Sequence, residues 1–129
     1  MSHWQELEIA QKIRAILADV QYTKPEHHFG RPFLTAYQLA LEFARRYPED
    51  FATIGQPIGG EGVGQQSSLA QYIARQLSTE IRDGNTPDIE GGFISNLHLR
   101  EIAFREGDRD VVSSLTSTQF DLSMFRLSG

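Results

Sequence analysis

Four glycines fall between Gly59 and Gly64, and the run leads into Gln65, Gln66, Ser67, Ser68 and a helical pattern. Glycine loops placed before helices are a recurring way to cradle phosphate. A Walker-type loop needs G-x-x-x-x-G-K-[ST], because the lysine reaches the outer phosphates and the hydroxyl ligates magnesium. Gly59 and Gly64 have the right separation, but Gln65 and Gln66 stand where the lysine and hydroxyl belong, and Glu61 puts a negative charge inside the loop. The dinucleotide pattern G-x-G-x-x-G fails too, ending at Gln65 from Gly60 and at Ser67 from Gly62. A smaller site survives this test. Backbone amides near Gly62 and Gly64, with Ser67 and Ser68, stand at the start of a helix, where the dipole and unpaired N–H groups favour an anion. The competing reading is a connector in which glycine permits positive φ and Ser67 or Ser68 caps the helix, the commoner use of these residues.

The other chemically capable side chains are scattered. Glu26, His27 and His28 adjoin one another, with His3 and His98 elsewhere in the chain. Adjacent histidines seldom point at one metal, so no metal site is expected, and they read as solvated loop residues. No acid is placed to orient a histidine as a general base. The hydroxyl-rich VVSSLTST lacks the G-x-S-x-G setting of a nucleophile elbow and suits the exposed face of a strand. There is no cysteine, which removes disulfides, thiol nucleophiles and thiolate metal sites. No cofactor is expected, and an enzyme is disfavoured.

The elements that would position these residues begin with a helical stripe of Ile9, Ile13, Ile16, Leu17 and Val20, with Ser2 and Gln5 at capping-box spacing. A loop, YTKPEHHFGRP, follows. Thr35 and Gln38 form a second capping box for a helix carrying Ala36, Leu39, Ala40, Phe43 and Tyr47, and Pro48 ends or kinks it. PEDFATIG reads as a further turn, with proline first and acids behind it. The third main helix spans about Ser68 to Asp83, with Leu69, Ile73, Leu77 and Ile81 on one face and Gly84 and Asn85 as stop residues. Residues 93–104 fit a short helix capped by Asn96 better than a strand. In the last segment Val111, Ser113 and Leu115 alternate, as do Phe120, Leu122 and Met124, which predicts a hairpin turning over Thr116 to Gln119.

These elements predict one domain over residues 1–129, of α+β class, with three to four helices and a C-terminal β-hairpin. Helix, helix, helix, hairpin resembles the element order of a winged helix-turn-helix over roughly residues 5–127, an analogy of order that rests on no family motif. Gln71, Arg75, Ser78 and Arg82 line the polar side of the third helix, opposite its apolar stripe. Arginine and glutamine read base edges and serine contacts phosphate, so this face is the candidate nucleic-acid-binding surface; a plainly solvated face is the rival. Arg31, Arg45 and Arg46 form a second basic spot, or else interact with the C-terminal end of the helix that begins after Thr35. Against the analogy, the connector before the third helix exceeds the three or four residues of a helix-turn-helix turn. The chain is also acidic, with net charge −5, and Glu80 and Asp83 lie near the end of that helix.

The reading is therefore a non-catalytic binding or regulatory module whose partner is nucleic acid or another protein. One alternative is a protein-interaction subunit with an exposed apolar patch around Trp4, Leu7 or Phe125, self-association included. A second is a small anion- or nucleotide-binding enzyme using the glycine loop. No apolar run is long enough to span a bilayer and no signal core opens the chain, so a soluble, cytoplasmic protein without a membrane partner is expected.

Overall fold

The computed structural model describes residues 3–21, 27–59, 68–112 and 121–128. Within them the chain is α+β, with five helices and two antiparallel sheets. The N-terminal stripe forms two helices rather than one: α1 (His3–Glu6) and α2 (Ile9–Ala18). Between them Glu8 is left-handed, at φ 52°, a conformation that ends a helical run. The break turns α1 so that Trp4 enters the interior, edge-on to Tyr72 at 6.0 Å between ring centroids. Ser2 lies outside the described residues, and with it the first capping box.

A short strand, β1 (Leu34–Thr35), leads into α3 (Ala36–Arg46), where the expected capping box forms in full. The Gln38 amide donates to the Thr35 hydroxyl at 3.2 Å, and the Thr35 amide donates to the Gln38 side chain at 2.7 Å. Two helix-end donors are thereby satisfied at once. Pro48 does stop α3 and opens α4 (Pro48–Ile54), with Glu49 and Asp50 in its first turn and left-handed Gly55 closing it. The apolar stripe of the third main helix becomes α5 (Leu69–Arg82), capped by Ser68 and Asp83.

Five strands complete the fold: β1, β2 (Ile89–Ile94), β3 (Ala103–Glu106), β4 (Arg109–Val112) and β5 (Leu122–Leu127). The larger sheet has the order β1-β5-β2, and β3 pairs with β4. The expected pairing of Val111 to Leu115 with Phe120 to Met124 is therefore corrected. Val111 and Val112 pair with Phe104 and Ala103, and β5 lies between β1 and β2. Residues 113–120, with the proposed turn at Thr116 to Gln119, lie outside the described residues. The expected helix over 93–104 is corrected as well: its two ends belong to β2 and β3, with a turn near Leu97 and His98. The Asn96 backbone N–H donates to the Asp121 carboxylate at 2.9 Å, which ties this turn to the residue just before β5, 25 positions away.

The core gathers the stripes of α2, α3 and α5 with Ile89, Leu122 and Phe125 of the sheet. Ile13, Leu39, Phe43, Ile73 and Leu77 are wholly inaccessible to solvent. The β3–β4 hairpin attaches through Phe104, which stacks on Tyr37 of α3 at 5.3 Å and 12°. Ion pairs tie the margins: Arg14 of α2 grips Asp88 with two hydrogen bonds of 2.8 and 3.1 Å, and Lys12 pairs with Asp50 of α4.

One such cluster has a definite pH signature. Glu42 accepts hydrogen bonds from Arg45 and Arg46. The Arg45 bond is the chief cause, and it holds the Glu42 carboxyl at about 2 against its ordinary 4.5, while burial pulls the other way. A depressed carboxyl adds stability that is complete above the unfolded value and lost as pH falls toward the folded one. Glu42→Gln is therefore expected to destabilise the protein at pH 7 by about 1 kcal/mol, a figure discounted for the solvent exposure of Arg45. The gap should close as pH is lowered from 4.5 to about 2. Thermal melts of both proteins across that range check it, and an equal gap at pH 7 and pH 2 would contradict it.

Candidate functional site

The start of α5 decides the fate of the anion reading. The Leu69 amide donates to the Pro57 carbonyl at 2.7 Å, the Ala70 amide to the Ile58 carbonyl at 3.0 Å, and the Gln71 amide to the Ser68 hydroxyl at 3.1 Å. The first three amides of the helix, ordinarily left over for a ligand, are all used within the chain. Ser68 is only 4% exposed. Its part in an anion site is thus replaced by a cap, and the chain doubles back at Pro57–Ile58 to complete it. Gly62, Gly64 and Ser67, the other members of that proposed site, lie outside the described residues.

Further along α5, Gln71, Arg75 and Ser78 line one wall of a cleft of about 760 Å³. Thr79, Ala74 and Ile81 belong to the same wall, and the facing wall is the sheet, with Gly91, Gly92 and Phe93 of β2 and Ser123 and Phe125 of β5. Three of the four residues proposed for nucleic-acid contact are therefore brought together. The fourth, Arg82, is exposed, lies outside the cleft and pairs with its neighbour Asp83 at 3.1 Å. Arg75 is exposed, and among the described residues no acid is paired with it. Beside it, burial pushes the Tyr72 phenol up, against the smaller opposing pull of the Arg75 charge. Asp121 is the acid of the cleft, and its carboxylate is already engaged by the Asn96 amide.

Phe93 is the residue that helix periodicity hid. In β2 it faces Ser123, and Gly91 faces Phe125, so these four share the face toward α5. A Cβ on Gly91 would stand 3.4 Å from Ile81 Cδ1 and 3.4 Å from the Phe125 ring. Glycine there keeps the sheet face low beside the helix. The Phe93 ring, with no bulky neighbour at Gly91 or Ser123, remains 70% exposed. Two consecutive glycines inside a strand pattern were the sequence signal for a close approach at this point.

The second basic spot is consumed internally. Arg45 and Arg46 are held by Glu42, and Arg46 also by Asp19. The Arg31 guanidinium donates to the Ala18 and Val20 carbonyls, capping the C-terminal end of α2, where a cation is favoured. His27 and His28 stack on each other at 4.4 Å, and both meet Phe29 edge-on. Glu26 lies outside the described residues, and among those described no group of three His, Asp or Glu side chains converges as a metal site.

The apolar patch expected at Trp4, Leu7 or Phe125 is corrected. Trp4 and Phe125 are buried in the core, and Leu7 is half-buried against it. Among the described residues, the large apolar side chains that do face solvent are Phe29, Phe93 and Leu97. Among the described residues no helix is long and apolar enough to cross a membrane. No family model, curated protein or solved structure matches the chain.

Proposed function

We propose that this protein is a non-catalytic binding or regulatory module that holds nucleic acid along the α5 face. The observation that carries the reading is the meeting of Gln71, Arg75 and Ser78 on the open wall of one cleft, with an arginine that no described acid neutralises. The element order supports it. With α1, α4 and the β3–β4 hairpin set aside, the order α2, β1, α3, α5, β2, β5 resembles that of a winged helix-turn-helix. In that arrangement α5 takes the place of the helix that meets nucleic acid. The inserted α4 accounts for part of the long connector that the simple motif lacks. The overall charge of −5 argues against a broad electrostatic footprint. Many of the acids, however, are engaged by arginines away from the cleft, among them Glu42, Asp88, Glu90 and Glu106.

The test is fluorescence anisotropy with labelled oligonucleotides over a salt series. Affinity should fall with salt, with a log–log slope of about −0.7 to −0.9 for each phosphate contacted. Arg75→Ala should weaken binding and remove about one unit of that slope. Arg82→Ala should do less, because Asp83 already holds Arg82. Lack of binding to any duplex or single strand at low salt would remove the reading.

Protein recognition is the second reading, favoured by Phe93 and Leu97, which are 70% and 72% exposed only four positions apart. It predicts self-association or partner capture that is insensitive to salt and lost on Leu97→Ser. A monomer by light scattering, with no change on that substitution, would count against it.

A further inference from the structure

We propose that the cleft between α5 and the sheet accepts an unpaired base stacked on Phe93, which makes single-stranded nucleic acid the preferred ligand. This rests on the nucleic-acid reading above and names the form of nucleic acid that the same site takes. A helix that reads duplex DNA must protrude into the groove. Here the residues Gln71, Arg75 and Ser78 border a recess of about 760 Å³ whose other side is formed by Gly91, Gly92, Phe93 and Ser123. That volume is in the range of small-molecule clefts, roughly 300–1,000 Å³, and is ample for one base.

The walls divide the work. Phe93 stands on the face of β2 that includes buried Ile89, yet it is 70% exposed, with Ser123 directly opposite and Gly91 two positions back along its own strand. The Phe93 ring borders the recess and is open to solvent, and every base has a π-face that an accessible aromatic ring can stack on, so stacking is tolerant of sequence. Across from it, Gln71 and Ser78 offer amide and hydroxyl groups for base edges, and Arg75 offers the positive charge for the adjoining phosphate. Asp121 borders the opposite side and repels phosphate there. The backbone is thereby directed along α5, and the base toward the sheet. A duplex keeps its bases stacked inside and has nothing to offer Phe93.

The experiment uses the full chain, a labelled 12-nucleotide single strand of mixed sequence and the corresponding duplex, at low salt. The single strand should bind at least about tenfold more tightly than the duplex. Phe93→Ala should weaken single-strand binding by about 10- to 100-fold and leave duplex binding unchanged. Phe93→Trp should restore it, with quenching of the new indole on binding. Because the side chain is exposed, thermal melts of all three proteins should coincide. Duplex binding as tight as single-strand binding, or no response to Phe93→Ala, would overturn this inference and leave the nucleic-acid reading standing. Failure to bind either oligonucleotide would overturn both. If an uncharged peptide with a central tryptophan bound in a Phe93-dependent way while the oligonucleotides did not, the cleft would belong to protein recognition and the inference would fall.

Discussion

Phe43→Ala is expected to lower the unfolding free energy by about 3–5 kcal/mol, the usual cost of emptying a fully buried phenylalanine site. Phe43 has no accessible surface, and its ring lies 5.3 Å from that of Tyr47. It projects from α3, the helix that packs against both α2 and α5. The lost ring leaves a cavity that three helices would have to close together. Each is held at its own end, α3 by the Thr35 capping box and α5 by Ser68, so collapse is resisted. Domains of this size have about 5–15 kcal/mol in total, so the loss is a large share. The melting temperature should fall by roughly 10–25 °C. Urea titration and calorimetry measure it directly. A loss below about 1 kcal/mol would mean that the helices do not close around this ring.

Gly59→Ala should be nearly as damaging, at about 2–4 kcal/mol, although it adds a single methyl group at a loop position. Two causes act together. Gly59 has φ +131°, which an L side chain rarely adopts, and an added Cβ would stand 3.2 Å from both Ser68 Cβ and Tyr37 Cε1. Tyr37 cannot yield, being buried and stacked against Phe104. Ser68 can yield only by releasing the Gln71 amide that it caps. The substitution should therefore loosen the first turn of α5, where the Pro57 and Ile58 carbonyls also bind. A double-mutant cycle with Ser68→Ala separates the effects. The two changes should add up to less than the sum of their single costs, since the second removes a cap already weakened by the first. Full additivity would show that the Gly59 substitution leaves the Ser68 cap intact.

These two positions show how the chain could and could not be read beforehand. Phe43 was legible because its partners in the pattern, Ala36, Ala40 and Tyr47, recur at helical spacing behind a capping box. Gly59 was legible only as part of a flexible run. Its close approach to Tyr37 joins residues 22 positions apart, and helical or strand periodicity carries no information about such a meeting. The same holds for residues 93–104. Leu99, Ile102 and Ala103 have helical spacing, but the chain follows the long-range hydrogen bonds of β2 to β5 and β3 to β4. Trp4 and Phe125 also depended on distant structure. The break at Glu8 and the central place of β5 put both into the core rather than on a surface patch.

For the candidate site, the helix and its polar face were legible, and the neighbouring wall was not. Gln71, Arg75 and Ser78 follow from the 3.6-residue period opposite Leu69, Ile73 and Leu77. Which arginines keep their charge free was settled by proximity in space: Glu42 and Asp19 take Arg45 and Arg46, and Asp83 takes Arg82. Caps, proline stops and helical periodicity act over three or four residues, so local pattern was enough for the α+β class, the three main helices and the turn at Pro48. Strand partners, the recess beside α5 and the exposure of Phe93 arise from contacts between residues tens of positions apart. Those were decided only when β5 paired between β1 and β2 and brought Ser123 opposite Phe93.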